Sequence, residues 1–275
     1  MNYYRVHMSA PQELREILLA FLSERAFESF EEQDDGISAY VREHAFDEAE
    51  RNYVRTLTDA YALTTDISLV PGQNWNEVWE SNFHPVRIGD FCAVRASFHT
   101  PQEGVRHELV IDPRMAFGTG HHETTTMVME AMESLSFSGK RVLDYGCGTG
   151  ILAILASRMG ARRVLAIDND LEACSNSLDN ILRNGAENVE VREGDLQDVT
   201  DEPFDIVMAN INRNIILAGL PWFHEHLFPG GILVCSGFLT TDSDMLVEAA
   251  RSYGLQAHAS SQLNGWAMVL FGRSA

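Results

Sequence analysis

From Lys140 to Gly237 the chain alternates short apolar runs with helical stretches, and this pattern restricts the possible folds more than any other feature. The apolar runs are "KRVLDYG", "RRVLAID", "NVEVREGD", "FDIVMANI" and "GGILVCSG". Between them lie stretches of helical character such as "ILAILASRMG" and "LEACSNSLDNILRNG". Short apolar strands separated by helices pair in parallel and are covered on both faces, so the pattern predicts an α/β, doubly wound, Rossmann-like sheet. The tail departs from the pattern. Its two strand-like runs, "LQAHASS" and "GWAMVLFGR", follow each other too closely for a crossover helix. They predict a closing antiparallel hairpin.

At 275 residues the chain exceeds the usual single-domain size, and 45% hydrophobic content is ample for a core. Residues 1–70 read as a separate unit. "NYYRVHM" alternates like a strand, and "APQELREILLAFLSERAF" carries apolar residues at helical spacing. "ESFEEQDDGISAYVRE" predicts two strands joined at Asp35-Gly36. A helix over "DEAERNYVRTLTDAYA" and a strand "TTDISLV" complete βαββαβ, a small ferredoxin-like α+β domain. Residues 71–85, bounded by Pro71 and Pro85, place Trp75, Trp79 and Phe83 on one helical face and predict a linker helix. Residues 86–275, which begin β-rich, form the larger domain.

Several function classes are excluded by bulk properties. With 20 Lys+Arg against 40 Asp+Glu, the formal charge is −20. Such a surface repels nucleic acid and attracts basic partners, with solubility alone as the plain alternative. Cys92, Cys147, Cys174 and Cys235 lie far apart, with no C-x-x-C pair, which argues against a disulfide framework or a zinc ribbon. The N-terminal residues lack the pattern of a signal peptide, and no stretch approaches the roughly 20 apolar residues of a spanning helix. The expectation is a soluble, cytoplasmic protein without membrane association.

The chemistry is concentrated in "VLDYGCGTGILAILA", which reads as strand, glycine turn and helix. Gly146, Gly148 and Gly150 let backbone N–H groups approach a ligand closely. Asp168 closes the next strand about 20 residues further on, the place for a carboxylate that grips ribose hydroxyls. Together these features point to a nucleoside cofactor. The dinucleotide fingerprint requires glycine where Ile151 stands, and Asp144 precedes the turn by two residues. A carboxylate there would repel a pyrophosphate, whereas it suits the sulfonium and ammonium of S-adenosyl-L-methionine. Asp144 has a second reading as a brace for the turn, and the two roles are compatible. Asp195, after the third strand, is placed to accept from an adenine amine, with a solvated turn acid as the plain alternative. Asn210 ends the fourth strand, beside the position of a transferable methyl. Cys147 needs no role beyond its small size.

The residues "DYGCGTG", "AIDND" and "ANI", preceded by "MAFGTGHHETT", resemble the PrmA family of bacterial ribosomal protein methyltransferases. The resemblance covers nearly the whole chain and implies the class I methyltransferase fold with S-adenosyl-L-methionine as cofactor. It implies as substrate the basic large-subunit protein eleven, modified at lysine side chains and its terminal amine without direct nucleic acid contact. It also implies cofactor positions at Thr125, Gly146, Asp168 and Asn210, with the N-terminal domain reading the substrate. The chain departs from the family at "NINRNI", where Asn212 and Arg213 replace smaller apolar residues.

His121 and His122 are adjacent and therefore point about 100° apart on a helix, which argues against a metal site. "FGTG" is expected to form a lid loop, and Thr125 to lie over the methionine end of the cofactor. The expected reaction is in-line attack by a neutral amine oriented by Asn210. No general base is evident, so water takes the proton. A monomer is expected. The rival readings are a methyltransferase of the same fold acting on another protein or a small molecule, and an NAD-dependent oxidoreductase.

Overall fold

The computed structural model describes residues 2–33, 35–70, 84–112, 118–200 and 203–274. The chain divides into two compact units, Met1–Phe83 and His84–Ala275. The linker helix expected over 71–85 lies almost entirely outside the described residues, as do Trp75, Trp79 and Phe83.

The first unit runs β1 (Tyr3–Ser9), α1 (Gln12–Ser23), β2 (Phe27–Gln33), β3 (Gly36–Arg42), α2 (Glu48–Ala60) and β4 (Thr64–Val70). Its sheet has the order β2-β3-β1-β4 with every pairing antiparallel, which is the predicted ferredoxin-like arrangement. Val6 and Met8 of β1 and Ile37, Ala39 and Val41 of β3 alternate onto one face, where they bury Leu18 and Leu22 of α1 and Val54 and Leu57 of α2. Asp47 starts α2 by accepting from the Glu50 N–H at 3.0 Å. Glu50, nearly buried, is matched by a two-pronged ion pair from Arg25 at 2.7 and 3.3 Å.

The second unit opens with a three-stranded sheet of β5 (Val86–Ile88), β6 (Cys92–Arg95) and β7 (His107–Val110). There follow α3 (Glu123–Glu133), β8 (Arg141–Tyr145), α4 (Ile151–Arg158), β9 (Arg163–Asp168), α5 (Leu171–Asn184) and β10 (Val189–Glu193). The chain continues through β11 (Phe204–Asn210), α6 (Arg213–His226), β12 (Leu227–Leu239), α7 (Ser243–Ser252), β13 (Leu255–Leu263) and β14 (Trp266–Arg273). Among the described residues the large sheet has the order β10-β9-β8-β11-β12-β14-β13. β8 to β12 are parallel and β14 is antiparallel to both neighbours. The closing hairpin turns at Asn264 and Gly265, both at positive φ, the two-residue turn that matches strand twist.

Each central strand is apolar on both sides because each side meets a different layer. Val142, Val164, Ile206 and Val234 face the cluster that includes α3, α4 and β5–β7. Leu143, Leu165, Val207 and Leu233 face the one that includes α6 and α7. The order reverses between β8 and β11, and a doubly wound sheet opens a crevice at that point. No helix of the described residues is long and apolar enough to cross a membrane.

α5 binds the early part of this unit to the sheet through polar side chains. Asp170 caps its N-terminus, Gly185 ends it in the left-handed conformation, and Asn176, Asn180 and Asn184 recur one turn apart on a buried face. The Asn184 amide bonds both the N–H and the C=O of Val110, at 2.9 and 2.7 Å. Asn180 accepts from the Asp112 N–H at 3.0 Å and donates to the Thr149 C=O at 3.0 Å, while Asn176 donates to the Asp112 C=O at 3.1 Å. The side chains thus replace a missing strand for residues 110–112 and tie them to the glycine turn. Asn180→Ala strands two backbone groups, the Thr149 C=O in a buried residue and the Asp112 N–H in a half-buried one. It is expected to lower the unfolding free energy by roughly 2–4 kcal/mol, measured by urea titration. A loss no larger than that of an exposed control such as Asn52→Ala would contradict the role.

Candidate active site

The carboxyl ends of β8, β9, β10 and β11 surround a cavity of about 550 Å³. It is lined by the glycine turn (Gly146, Gly148), Asp168 to Asp170, Gly194 and Asp195, Asn210 to Asn212, and His122, Thr124 and Trp266 from the far side. The turn exists because all three of its glycines sit at positive φ, between 54° and 77°. A methyl group on Gly146 would stand 2.2 Å from the Ile211 side chain, so the close approach itself also demands glycine there.

Two carboxylates fasten the turn. Asp168 accepts from the Gly148 N–H at 2.9 Å and from the Asp170 N–H at 3.1 Å, which fixes its rotamer at the rim of the cavity. Asp144, 1% exposed, accepts from the Ala153 N–H at 3.0 Å. The N-cap of α4 is Gly150, which has no side chain to cap it, so Asp144 supplies from β8 the oxygen that an N-cap side chain would provide. Burial, reinforced by the charge of Asp168 and opposed by the Ala153 hydrogen bond, pushes the Asp144 carboxyl up to about 7.

The remaining polar groups are set out along the sheet. Asp195 follows β10 and caps the short turn 196–198, taking the Leu196 N–H at 2.7 Å on Oδ1. The Tyr145 phenol donates to the same oxygen at 2.5 Å. Asn210 donates from Nδ2 to Thr125 Oγ1 at 3.2 Å, and its Oδ1 is buried without a hydrogen-bond partner. At the opposite wall His122 caps α3, accepting from the Thr124 N–H, and lies edge-on to Trp266 with ring centroids 4.8 Å apart.

Of the residues expected from the sequence, Gly146, Gly148, Asp168, Asp195 and Asn210 line the cavity. Asp144 and Thr125 do not. Asp144 is beneath the turn in its bracing role, and Thr125, fully buried, stands behind Asn210. Cys147 is enclosed against Ser177, with its thiol pushed well up by burial, which removes it as a nucleophile. The described part of the expected lid is fastened. The Gly118 C=O accepts from the Thr149 hydroxyl, the Gly120 C=O accepts from Thr126 at 3.0 Å, and His121 Nε2 meets the His84 C=O at 2.7 Å. Phe117 lies outside the described residues. No cluster able to hold a metal ion occurs among the described residues. Sequence reading missed Tyr145, Ile211 and Trp266 as wall residues. Tyr145 was accessible from its place at the end of β8, but nothing in the local sequence brings Trp266 to a turn more than a hundred residues away.

Donors and acceptors decide what fits. The charged side chains gathered here, Asp168, Asp170 and Asp195, offer acceptors when ionised. Among the described residues no lysine or arginine lines the cavity. The set suits a cationic nucleoside with hydroxyl and amine donors. It is unfit for a pyrophosphate.

Comparison with known proteins agrees with this chemistry. The family model described as "Ribosomal protein L11 methyltransferase (PrmA)" matches residues 12–274. A ribosomal protein L11 methyltransferase of Phocaeicola vulgatus is 42% identical, covering 94% of this chain and 93% of that protein. One of Porphyromonas gingivalis is 41% identical, covering 93% and 90%. The crystal structure of a ribosomal protein L11 methylase from Lactobacillus delbrueckii subsp. bulgaricus superposes with a TM-score of 0.65 at 27% identity, covering 70% of this chain and 100% of that one.

The folded state binds the Asp144 proton more tightly than the unfolded chain does. That contribution is therefore present below the ordinary carboxylate pKa and is lost as pH rises through about 7. Asp144→Asn keeps an oxygen for Ala153 and removes the charge. Its stability relative to the native chain is expected to improve by a few kcal/mol between about pH 4 and about pH 7, at about 1.4 kcal/mol per pKa unit. Urea titrations showing a difference independent of pH would contradict the assignment.

Proposed function

The chain belongs to the ribosomal protein L11 methyltransferase (PrmA) family, and on that premise we propose that it transfers methyl groups from S-adenosyl-L-methionine to amines of large-subunit protein L11. The observation that carries the reading is the acceptor-rich cavity on a glycine turn at the switch point of the sheet. When bound, the cofactor supplies a methyl group activated by a positively charged sulfur.

The protein's own groups bind and orient. Asp168, fixed by the Gly148 N–H, takes the ribose hydroxyls, and Asp195 takes the amine of the base. The glycine backbone at 146–148 allows close approach to the nucleoside. Asn210 stands where the incoming amine must arrive. Thr125 Oγ1 accepts its Nδ2 proton, and the Oδ1, buried and unpartnered in this structure, turns toward the cavity to accept from that amine. Thr125 therefore acts through Asn210, and Asp144 acts by holding the turn and α4 together.

His122 and Trp266 supply an aromatic wall. Excluding water there disfavours an ammonium and favours the neutral nucleophile, and water outside the cavity takes the released proton. Orientation of amine and methyl is the main catalytic contribution, worth roughly 7–11 kcal/mol when alignment is good. The N-terminal unit reads the substrate, and the charge of −20 speeds encounter with a basic protein. A rival oxidoreductase reading is disfavoured by the same acceptors, which repel the phosphates of NAD.

Incubation of L11 with the enzyme and S-adenosyl-L-methionine is expected to add methyl groups at lysine or terminal amines, seen by mass spectrometry. Asn210→Ala is expected to reduce kcat about 100-fold. An L11 left unmodified by the native chain would overturn the substrate. Full activity of Asn210→Ala would remove the orienting oxygen from the mechanism.

A further inference from the structure

We propose that Tyr145 makes the cavity selective for a 6-aminopurine by positioning Asp195. The inference rests on the cofactor reading above and extends it to a residue that sequence reading left unassigned.

Asp195 is an exposed side chain that closes a capping box with Asp198 on the turn 196–198. Here its Oδ1 is held by two donors of different origin, the Leu196 N–H at 2.7 Å and the Tyr145 phenol at 2.5 Å. The first comes from the same turn and moves with it. The second comes from β8, two places away across the sheet, because β9 lies between β8 and β10. Tyr145 points to the opposite face from Asp144, and its ring is edge-on to Phe223 of α6 at 6.1 Å. At 7% exposure the ring belongs to the floor of the cavity rather than to its rim. Tyr145 thus connects the rigid centre of the sheet to a surface carboxylate at its edge.

This connection has a chemical consequence. Burial and the neighbouring charge of Asp195 raise the phenol's pKa, so Tyr145 remains an O–H donor. A carboxylate offers only acceptors, and with its plane fixed its remaining lone pairs have one direction instead of several. An acceptor held in place reads an N–H at that position and gains nothing from a C–H. Selectivity for the amino group of adenine then depends on the phenol as much as on the carboxylate. A Tyr145 that merely packed against Phe223 would support every ligand equally.

The test is calorimetric titration with S-adenosylhomocysteine and with its analogue lacking the 6-amino group. Both are titrated into the full-length native chain, Tyr145→Phe, Asp195→Ala and the double variant. The native chain is expected to prefer the amino compound by about tenfold or more, the scale of a hydrogen bond to a charged group. Tyr145→Phe is expected to bring the preference to about threefold or below by weakening the amino compound alone. In the Asp195→Ala background, Tyr145→Phe is expected to have no further effect, since a residue acting through another adds nothing once that partner is gone. Equal weakening of both ligands by Tyr145→Phe, or additive losses in the double variant, would overturn the proposal. So would persistence of the native preference in Asp195→Ala, which settles the matter even if Tyr145→Phe fails to fold. Failure of the native chain to bind either ligand would instead overturn the cofactor reading itself.

Discussion

The glycine turn at 146–150 is held by two carboxylates from adjacent strands, and the rest of the site is built on that fastening. Asp168 takes the Gly148 N–H from the rim, while Asp144 takes the Ala153 N–H from below. Neither bond is local in sequence. Together they join β8, β9 and α4, so the turn cannot shift without moving the centre of the sheet. Asn180 adds a third tether by bonding the Thr149 C=O, and through Asp112 it links the turn to the segment after β7. Asp144 contributes at a cost, because a fully buried carboxyl is driven up to about 7. Stability is given up locally for a turn of fixed shape, a common arrangement where a backbone must present itself to a ligand.

Strand order then translates into chemistry. Asn210, Gly146, Asp168 and Asp195 stand at or just beyond the ends of β11, β8, β9 and β10, four neighbours in the sheet. At the usual strand spacing they spread over roughly 14 Å. One end of this row is an amide backed by Thr125 and faced by the His122 and Trp266 rings. The other is a carboxylate pinned by Tyr145. The charged groups along the row are carboxylates, which suit hydroxyl and amine donors. Among the described residues the same row offers a phosphate no lysine or arginine. Cofactor choice is therefore a property of the donor and acceptor inventory, which the glycine motif alone does not specify.

Much of this was legible in the sequence because it depends on periodicity. The parallel sheet follows from apolar runs buried on both faces, and the ferredoxin-like unit from one helix, one hairpin signal and a second helix in order. The terminal hairpin follows from two strands without room for a crossover. Gly146, Asp168 and Asn210 stand at strand ends, where such sheets bind ligands, and all three line the cavity. The sequence could not separate contact from support. Asp144 and Thr125 have the right chemistry for a cofactor, yet both lie behind the cavity wall, since alternation along β8 and the turn into α3 direct them inward. The partners of Tyr145 and Trp266 were hidden for the opposite reason. Their roles come from long-range pairing, β8 with the residue after β10 and β14 with the start of α3, which leaves no local signature. The asparagine ladder of α5 is similar, being a polar stripe that reads as a solvated face until the backbone it pairs with is in place.

A cavity lined by carboxylates, and by no lysine or arginine among the described residues, selects a cationic nucleoside over one that carries phosphates. Side-by-side calorimetry of the native chain with S-adenosyl-L-methionine and NADH tests it directly. Saturable one-to-one binding of the first and no measurable heat from the second are expected. Binding of NADH with the tighter affinity would contradict it.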